Sequence, residues 1–225
     1  MSQGWPCAAA LVAATYLYAS VNWAIPLTRW VSGQDIRQLG TGNPGTANVG
    51  RHLGRGWGTL VYFLDLSKAV PALLIGRLLL FPEEGPWPTA VLGLTGIAAV
   101  AGHCRSLYYR FHGGGGIATS MGVFLFFIPV EFVVSVLLAF AAVMSFRRRV
   151  RFPLGQWTPI LFVTITPFLT LALTRAVHLR LGRYWSIGGH SWYLLVVLFA
   201  TSVFILSMNM KFMQRRAQEI RGKDG

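Results

Sequence analysis

The twelve residues GTGNPGTANVGR, from Gly40 to Arg51, lie between two apolar segments that are each long enough to cross a membrane. Four glycines, a proline and two asparagines predict a loop rather than a stable helix. In a chain that otherwise has the composition of a membrane protein, such a stretch is expected only where its backbone amides contact a polar group. Amides and hydroxyls beside an arginine fork suit a phosphate or a carboxylate. The stretch therefore predicts an anion site, although a glycine-rich loop by itself is more often a flexible turn.

The composition of the chain is typical of a membrane protein. Hydrophobic residues make up 54% of the sequence and charged residues 12%, and the apolar residues occur in long runs. A full crossing needs about 20 apolar residues. We predict an all-α polytopic membrane protein with about seven transmembrane helices, some of them short. These lie near residues 8–27, 58–80, 87–101, 117–128, 131–146, 159–174 and 191–211.

Two of these predicted spans are short and flank Pro129. They are compatible with one kinked helix or with two short helices joined by a turn, because proline interrupts the helical hydrogen bonds. We prefer two helices, because the distribution of positive charge across the membrane then follows the positive-inside rule.

The formal net charge of +13 suggests nucleic acid at first, but its distribution argues against such a partner. With the N-terminus outside and the C-terminus in the cytoplasm, most of the Lys and Arg residues fall on the cytoplasmic side. The basic tail, at about residues 212–225, is then a topology determinant that contacts anionic lipid. The exceptions are Arg77, Arg175, Arg180 and Arg183, which fall outside.

Three polar segments share the cytoplasmic face in this topology: two loops, at about residues 32–57 and 102–118, and the C-terminal tail from Asn209. The second reads GHCRSLYYRFHGGGGIATS. Its glycines precede a helix predicted from Ile117, and aligned amides at a helix N-terminus attract anions. The hydroxyl of Thr119 lies in the first turn of that helix and is a further donor. The alternative is a flexible hinge that lets the short helix dock.

The four glycines bring no side-chain charge, so a phosphate here needs Arg105, Arg110, His112 or Arg51 nearby. His103 suits a base, a donor to phosphate oxygen or a structural hydrogen bond. The remaining histidines show no ligand spacing, so we predict neither a metal site nor a cofactor.

Asp65 and Lys68 are charged residues inside the second predicted span. Charges within a membrane are functional candidates by default, and the i, i+3 spacing also allows them to neutralise each other. We expect the mutual pair, with a second role in positioning Lys68 toward the first polar segment.

Several motifs resemble those of one known family. The stretch DIRQLGTGNPGTANVGR at 35–51, followed by DLSK at 65–68, is similar to the first motif and second helix of the bacterial acyl-phosphate:glycerol-3-phosphate acyltransferases. That family's pattern is close to GSGNPGATNVxR with a downstream DxxKG. GH at 102–103 and FHGGGGIAT at 111–119 resemble its second motif, and YLYASVNWAIPLTRW at 16–30 resembles its first helix. The similarity is fairly continuous over residues 16–122 and faint afterwards.

This resemblance implies one integral-membrane domain over residues 1–225, in the bacterial inner (plasma) membrane. It also implies transfer of a fatty acyl group from acyl phosphate to the 1-hydroxyl of glycerol 3-phosphate, giving lysophosphatidic acid. The expected partners are glycerol 3-phosphate, acyl phosphate and membrane lipids. Combined with the residue analysis, it gives Thr41, Arg51, His103 and Asn209 as catalytic candidates. The substrate-binding candidates are Gly40, Gly42, Asn43, Asn48, Lys68, Arg110, Gly113, Gly114, Gly116 and Thr119.

The chain departs from the family pattern in its second and third motifs. Gly115 replaces the lysine of GGKG, Ser106 replaces a proline, and the third motif, HRxNIxRL, survives only as Asn209 in LSMNMKFM. In one hypothesis Arg105, Arg110, Arg215 or Arg216 substitutes for the lost charge, and acyl transfer persists with an altered acceptor or donor. In another, the scaffold binds phosphoester or lipid without turnover. A small transporter is a third class, which no internal repeat supports. We favour the acyltransferase, because the first motif retains its hydroxyl, both asparagines and its arginine.

Overall fold

The described part of the chain is entirely helical. The computed structural model describes residues 4–150, 154–176 and 191–221, and these contain no β-strand. The all-α prediction is therefore confirmed. The helices are α1 Gly4–Ala19, α2 Ala24–Ser32, α3 Thr46–His52, α4 Arg55–Leu66, α5 Val70–Ile75, α6 Pro86–Cys104, α7 Ile117–Phe127, α8 Pro129–Val150, α9 Leu154–Ala176 and α10 Trp192–Arg221.

Three helical segments have the length and composition of complete membrane spans. They are Gly4–Ser32, Pro86–Tyr109 and Trp192–Met210, and shorter apolar helices cover Ile117–Phe127, Pro129–Ser145 and Ile160–Arg175. Large apolar side chains such as Leu94, Leu137 and Val203 are more than half exposed. Such an outer surface is compatible with lipid and not with water, as expected of a membrane protein.

The predicted span at 58–80 is broken rather than continuous. Helix α4 ends at Leu66, α5 begins at Val70, and a wide helical turn follows at Gly76–Leu80. Pro71 lies in the first turn of α5, where its missing N–H cannot continue the hydrogen bonds of α4. The break places Asp65 and Lys68 at its edges, where they turn toward the interior.

The chain around Pro129 forms two helices, as we preferred. Helix α7 ends at Phe127, and the φ of −145° and ψ of 60° of the next residue, Ile128, lie outside the helical region. The proline ring disfavours the helical conformation in the residue before it, which explains the break.

Part of the glycine-rich stretch is helical, contrary to the prediction of a loop without a helix. Its glycines with positive φ are Gly40 and Gly42, and both precede α3. Between Thr46 and His52 only one glycine remains, and Val49 is fully buried in a cluster with Val61 of α4. Burial of this face stabilises a helix that is too short to persist alone.

Close helix packing brings the polar segments to one end of the bundle. Helix α1 packs along α6, α10 packs against α6 and α9, and α7 packs against α4 and α6. A Cβ atom on Gly102 would overlap the Tyr16 carbonyl oxygen of α1, and one on Gly122 would overlap the Leu66 carbonyl oxygen of α4. Small residues allow this approach in membrane helices.

Some predicted features lie outside the described residues. They are Arg180, Arg183, the last residues of the basic tail, and the side chains of Arg215 and Arg216.

Candidate active site

A cavity of about 950 Å³ lies where the two polar segments meet α10. We call residues 33–54, between α2 and α4, the first loop, and residues 105–116, between α6 and α7, the second loop. The predicted site residues that line the cavity are Thr41, Gly42, Asn43, Asn48, Arg51, His103, Gly113, Gly114, Gly116 and Asn209. The structure thus brings together residues from three distant parts of the sequence.

The first loop takes its shape from one buried amide. Asn48 is 2% exposed. Its Nδ2 donates to the carbonyl oxygens of Ile36 (3.2 Å) and Leu39 (2.8 Å), and its Oδ1 accepts from the Thr41 N–H (3.3 Å). These bonds use both N–H donors of the amide, so Asn48 lines the cavity as the support of the loop and has no donor left for a ligand.

The arginines in and next to the first loop differ in their partners. Arg37 and Arg29 both bind the Asp35 carboxylate, at 2.6 and 2.7 Å. These guanidinium hydrogen bonds, that of Arg37 first, hold the pKa of Asp35 well below its usual value of 3.8, against the opposing effect of burial. Arg51 is exposed and lines the cavity, and its guanidinium forms no hydrogen bond or ion pair with any described residue. Arg51 therefore keeps its guanidinium fork available for an anion.

Both loops present backbone donors at the cavity. In the first loop the N–H groups of Asn43, Thr46 and Ala47 have no acceptor among the described residues. The same holds for Gly115 and Gly116 of the second loop, directly before the N-terminus of the 11-residue helix α7. Unpaired amides next to a helix N-terminus favour negatively charged oxygen.

The second loop folds back onto the end of α6. The Gly113 N–H donates to the Cys104 carbonyl oxygen (3.0 Å), and the Gly114 N–H donates to that of His103 (3.1 Å). A Cβ atom on Gly113 would overlap the His103 carbonyl oxygen. Only glycine permits the loop to lie so close to the helix.

The sequence analysis missed Asn22, which joins the two loops. This fully buried residue lies between α1 and α2. With its amide nitrogen toward the first loop, it donates to the Pro44 carbonyl oxygen (3.1 Å), and its oxygen accepts from the Gly114 N–H (3.3 Å). A lone asparagine within an apolar predicted span was the available signal, since such polar groups are costly in lipid unless they are paired.

The predicted pair of Asp65 and Lys68 is present, and it has a third member. Lys68 Nζ lies 2.8 Å from Asp65 Oδ1 and 3.0 Å from His103 Nδ1. Lys68 is fully buried and does not line the cavity. Its expected second role toward the first loop is therefore wrong: the break after α4 directs its ammonium to His103 at the end of α6.

Three further candidates lie away from the cavity lining. Gly40, with φ of 53°, lies against Asn48 and His52; Arg110 is exposed, with φ of 53°; and Thr119 is fully buried, with no hydrogen-bond partner for its hydroxyl among the described residues. Arg105 is exposed and also absent from the lining. Neither Arg105 nor Arg110 therefore stands where it would replace a lost lysine.

The described residues contain no group of three His, Cys, Asp or Glu arranged to hold a metal ion.

The sequence model of the family described as glycerol-3-phosphate acyltransferase matches residues 9–220. The chain belongs to this family. The member from Anaeromyxobacter dehalogenans strain 2CP-C is 42% identical over 54% of this chain and 59% of its own length. The member from Halalkalibacterium halodurans is 35% identical over 78% of both chains. The chain thus spans about three fifths of the first relative and more than three quarters of the second.

Two solved structures are similar to this family member over nearly its whole length. Both are crystal structures of PlsY (YgiH), described as an integral membrane glycerol 3-phosphate acyltransferase. The glycerol 3-phosphate form has a TM-score of 0.73 and 26% identity, and covers 95% of this chain and 94% of the other. The lysophosphatidic acid form has a TM-score of 0.69 at 24% identity and shows the fold alone.

The departures from the family motifs now have a structural description. Ser106, in place of a proline, has a φ of −61°, and its hydroxyl donates to the Ser20 carbonyl oxygen (2.5 Å). The serine therefore keeps the backbone angle that proline would impose and adds a bond to the end of α1.

Gly115, in place of the family's lysine, is paired with Asn209. The Asn209 Nδ2 donates to the Gly115 carbonyl oxygen (2.8 Å) and to that of Ile205 (2.8 Å). A Cβ atom on Gly115 would lie only 2.9 Å from Asn209 Oδ1. In this family member the Asn209 side chain thus links α10 to the second loop through Gly115, the residue that replaces the lysine.

Proposed function

We propose that the protein transfers a fatty acyl group from acyl phosphate to the 1-hydroxyl of glycerol 3-phosphate, giving lysophosphatidic acid. The observation that carries this proposal is the pairing of an available guanidinium, Arg51, with two separate sets of unpaired backbone amides around one cavity. Two sets of anion donors fit a reaction in which both substrates carry a phosphate. Family membership and the similarity to PlsY support the same assignment.

The first loop is suited to hold one phosphate. Arg51 supplies the charge, the amides of Thr46 and Ala47 supply neutral donors, and Thr41 adds an exposed hydroxyl at the cavity wall. A guanidinium fork with neutral donors beside it matches the geometry of a phosphate better than a point charge does.

The second loop is suited to hold the other phosphate. Its free amides belong to Gly115 and Gly116, and the N-terminal end of α7 lies directly behind them. The two loops meet at Pro44 and Gly114, which Asn22 joins, so the two phosphates would lie in one cavity.

The proposed chemistry is a direct transfer with no acyl-enzyme. The 1-hydroxyl oxygen of glycerol 3-phosphate attacks the acyl carbonyl carbon, and a new C–O ester bond forms. The bond between that carbon and the phosphate oxygen breaks, and the leaving phosphate takes the hydroxyl proton to become hydrogen phosphate. Positioning of the two substrates and neutralisation of their charge then supply most of the rate acceleration.

The acyl chain requires an apolar path to this cavity. A groove between α9 and α10 is lined by Leu171, Leu195, Val196, Phe199, Ala200, Val203, Phe204 and Ser207. The next residues of α10, Met208 and Asn209, line the cavity. We propose that the chain lies along this groove with its reactive end toward Asn209.

The proposed location is the bacterial inner membrane, which the chain crosses several times as one domain. An outside N-terminus and a cytoplasmic C-terminus are favoured by the excess of Lys and Arg on one side. This topology opens the cavity to the cytoplasm, where glycerol 3-phosphate is dissolved.

A second candidate function, binding of phosphoester or lipid without turnover, is favoured by one observation. Gly115 leaves the second loop without the charge that the family pattern places there, and neither Arg105 nor Arg110 replaces it at the cavity.

Acyl transfer by the purified protein separates these candidates. The assay uses palmitoyl phosphate, palmitoyl coenzyme A or palmitoyl acyl carrier protein with radiolabelled glycerol 3-phosphate, and compares Arg51→Ala with Arg110→Ala. We expect labelled lysophosphatidic acid from palmitoyl phosphate, a loss of about hundredfold or more in kcat/KM for Arg51→Ala, and little change for Arg110→Ala. Binding of glycerol 3-phosphate without product from any donor would overturn the transfer and favour the binding protein.

A further inference from the structure

We propose that Asp65 and Lys68 are positioning residues that hold His103 in one tautomer. In this tautomer His103 Nε2 carries the proton and donates a neutral hydrogen bond into the cavity beside Gly114. The tautomer follows from the contacts within the helix bundle, whereas its part in turnover rests on the proposed acyl transfer.

The contacts of Lys68 decide which imidazole nitrogen accepts. Lys68 is fully buried, and its ammonium lies 2.8 Å from the Asp65 carboxylate and 3.0 Å from His103 Nδ1. An ammonium has three donors and no acceptor, so Nδ1 must offer its lone pair. The proton of the neutral ring is then on Nε2.

Asp65 supports this arrangement through its distances. Its Oδ1 is 3.4 Å from His103 Nδ1 but 2.8 Å from Lys68 Nζ, so the shorter contact belongs to the lysine. A doubly protonated His103 would place a second positive charge against the ammonium in a buried site, which costs free energy. The charges of Asp65 and Lys68 balance each other within this buried group.

The other edge of the imidazole faces the second loop. His103 is 3% exposed and lines the cavity, and its Nε2 has no hydrogen-bond partner among the described residues. A Cβ atom on Gly114 would overlap Nε2. The nitrogen therefore lies against the bare backbone of the loop, next to the free amides of Gly115 and Gly116.

A neutral donor at this place has a specific use. Gly115 brings no charge to the second loop, so donors that need no counter-ion must hold the oxygen atoms there. An Nε2–H fixed by a buried ion pair is pre-organised and does not reorient when the substrate arrives, which is the property that makes such donors effective. The three residues come from the end of α4, the break before α5 and the end of α6, so the unit also fixes the base of the loop.

Nitrogen NMR of ¹⁵N-histidine-labelled full-length protein in detergent tests the tautomer without any substrate. His103→Gln identifies the signals of His103, and we expect the wild-type pattern of a neutral ring protonated at Nε2 at neutral pH. A ring protonated at Nδ1, or at both nitrogens, would overturn the proposal.

The double variant Asp65→Asn/Lys68→Met tests the positioning role. It removes both charges together, so no unpaired charge remains buried. The variant therefore avoids the large loss of stability that a buried unpaired charge causes. We expect His103 to lose its preference for the Nε2–H tautomer and kcat to fall about ten- to hundredfold, with an unchanged thermal midpoint. An unchanged tautomer and kcat in this variant would overturn the assignment. If the wild type shows Nε2–H but forms no product, the acyl transfer fails and the tautomer stands.

Discussion

The first and second loops face the same cavity, but they differ in the contacts that support them and in the groups that they offer to a ligand. A buried side chain, Asn48, supports the first loop from within, and that loop carries the available cation Arg51. The second loop offers only glycine backbone at its tip, and its neighbours hold it: the end of α6, Asn22 and Asn209.

This difference explains how the second loop keeps its shape without a lysine at position 115. Its conformation depends on backbone hydrogen bonds and on the close approach to His103, and none of these needs a charged side chain. Among the described residues that line the cavity, the two arginines, Arg37 and Arg51, both belong to the first loop.

Among the substitutions that test how the two loops are held, the largest expected effect comes from adding one methyl group to the second loop. In Gly114→Ala the new Cβ would overlap His103 Nε2 and lie 3.1 Å from the Pro44 carbonyl oxygen. The loop must move away from α6, and a displacement of reacting groups by about 1 Å costs about hundredfold in rate. We therefore expect kcat/KM for acyl transfer to fall by about that factor.

Gly56→Ala is the matched control for this substitution. A Cβ atom there meets nothing within 4 Å, so we expect the wild-type rate. Comparable activity of Gly114→Ala and Gly56→Ala would show that the second loop tolerates repositioning and would remove the contrast between the loops.

A smaller effect is expected from removing the support of the first loop. Asn48→Ala deletes the bonds to the Ile36 and Leu39 carbonyl oxygens and to the Thr41 N–H. Leaving such groups unpaired costs about 1–3 kcal/mol. We expect a lower thermal midpoint together with a decrease of about tenfold in kcat/KM.

Asn43→Ala serves as the comparison, because Asn43 is exposed at the same cavity and its side chain has no hydrogen bond among the described residues. Its thermal midpoint should match the wild type, whatever the change in KM. Equal midpoints for Asn48→Ala and Asn43→Ala would contradict the supporting role of Asn48.

The smallest effect should follow from returning charge to the second loop. Gly115→Ala places a Cβ only 2.9 Å from Asn209 Oδ1, so the Asn209 side chain must shift by a few tenths of an ångström. We expect a loss of a few-fold in kcat/KM. In Gly115→Lys the same shift occurs, but the added ammonium attracts phosphate and offsets part of the loss.

Gly115→Ala and Gly115→Lys place the same Cβ atom against Asn209, so they differ only in the rest of the lysine side chain and its charge. A lower KM for glycerol 3-phosphate or acyl phosphate in Gly115→Lys than in Gly115→Ala would show that the second loop still accepts a cation. Identical constants in the two variants would show that the charge requirement has passed entirely to the first loop.

The sequence alone predicted the class of fold, and ten of its fourteen candidate site residues line the cavity. Long apolar runs fix a helical membrane protein, because backbone polar groups in lipid must be satisfied within each helix. The glycine-rich motifs indicate where the chain leaves the helix. The motifs also gave Thr41, Arg51, His103 and Asn209 as candidates, and all four line the cavity. The i, i+3 spacing of Asp65 and Lys68 was sufficient to predict their pairing.

Only the tertiary structure decided the partners that come from distant parts of the chain. The docking of α6 against the break after α4 gives Lys68 its contact with His103, and the approach of both loops to Asn22 gives that residue its role. The same packing leaves Arg110 and Thr119 away from the cavity and stabilises α3 by burying Val49. Local sequence determines which elements form and which residues can bind an anion. Which of those residues meet depends on how the helices pack, and no local pattern contains that information.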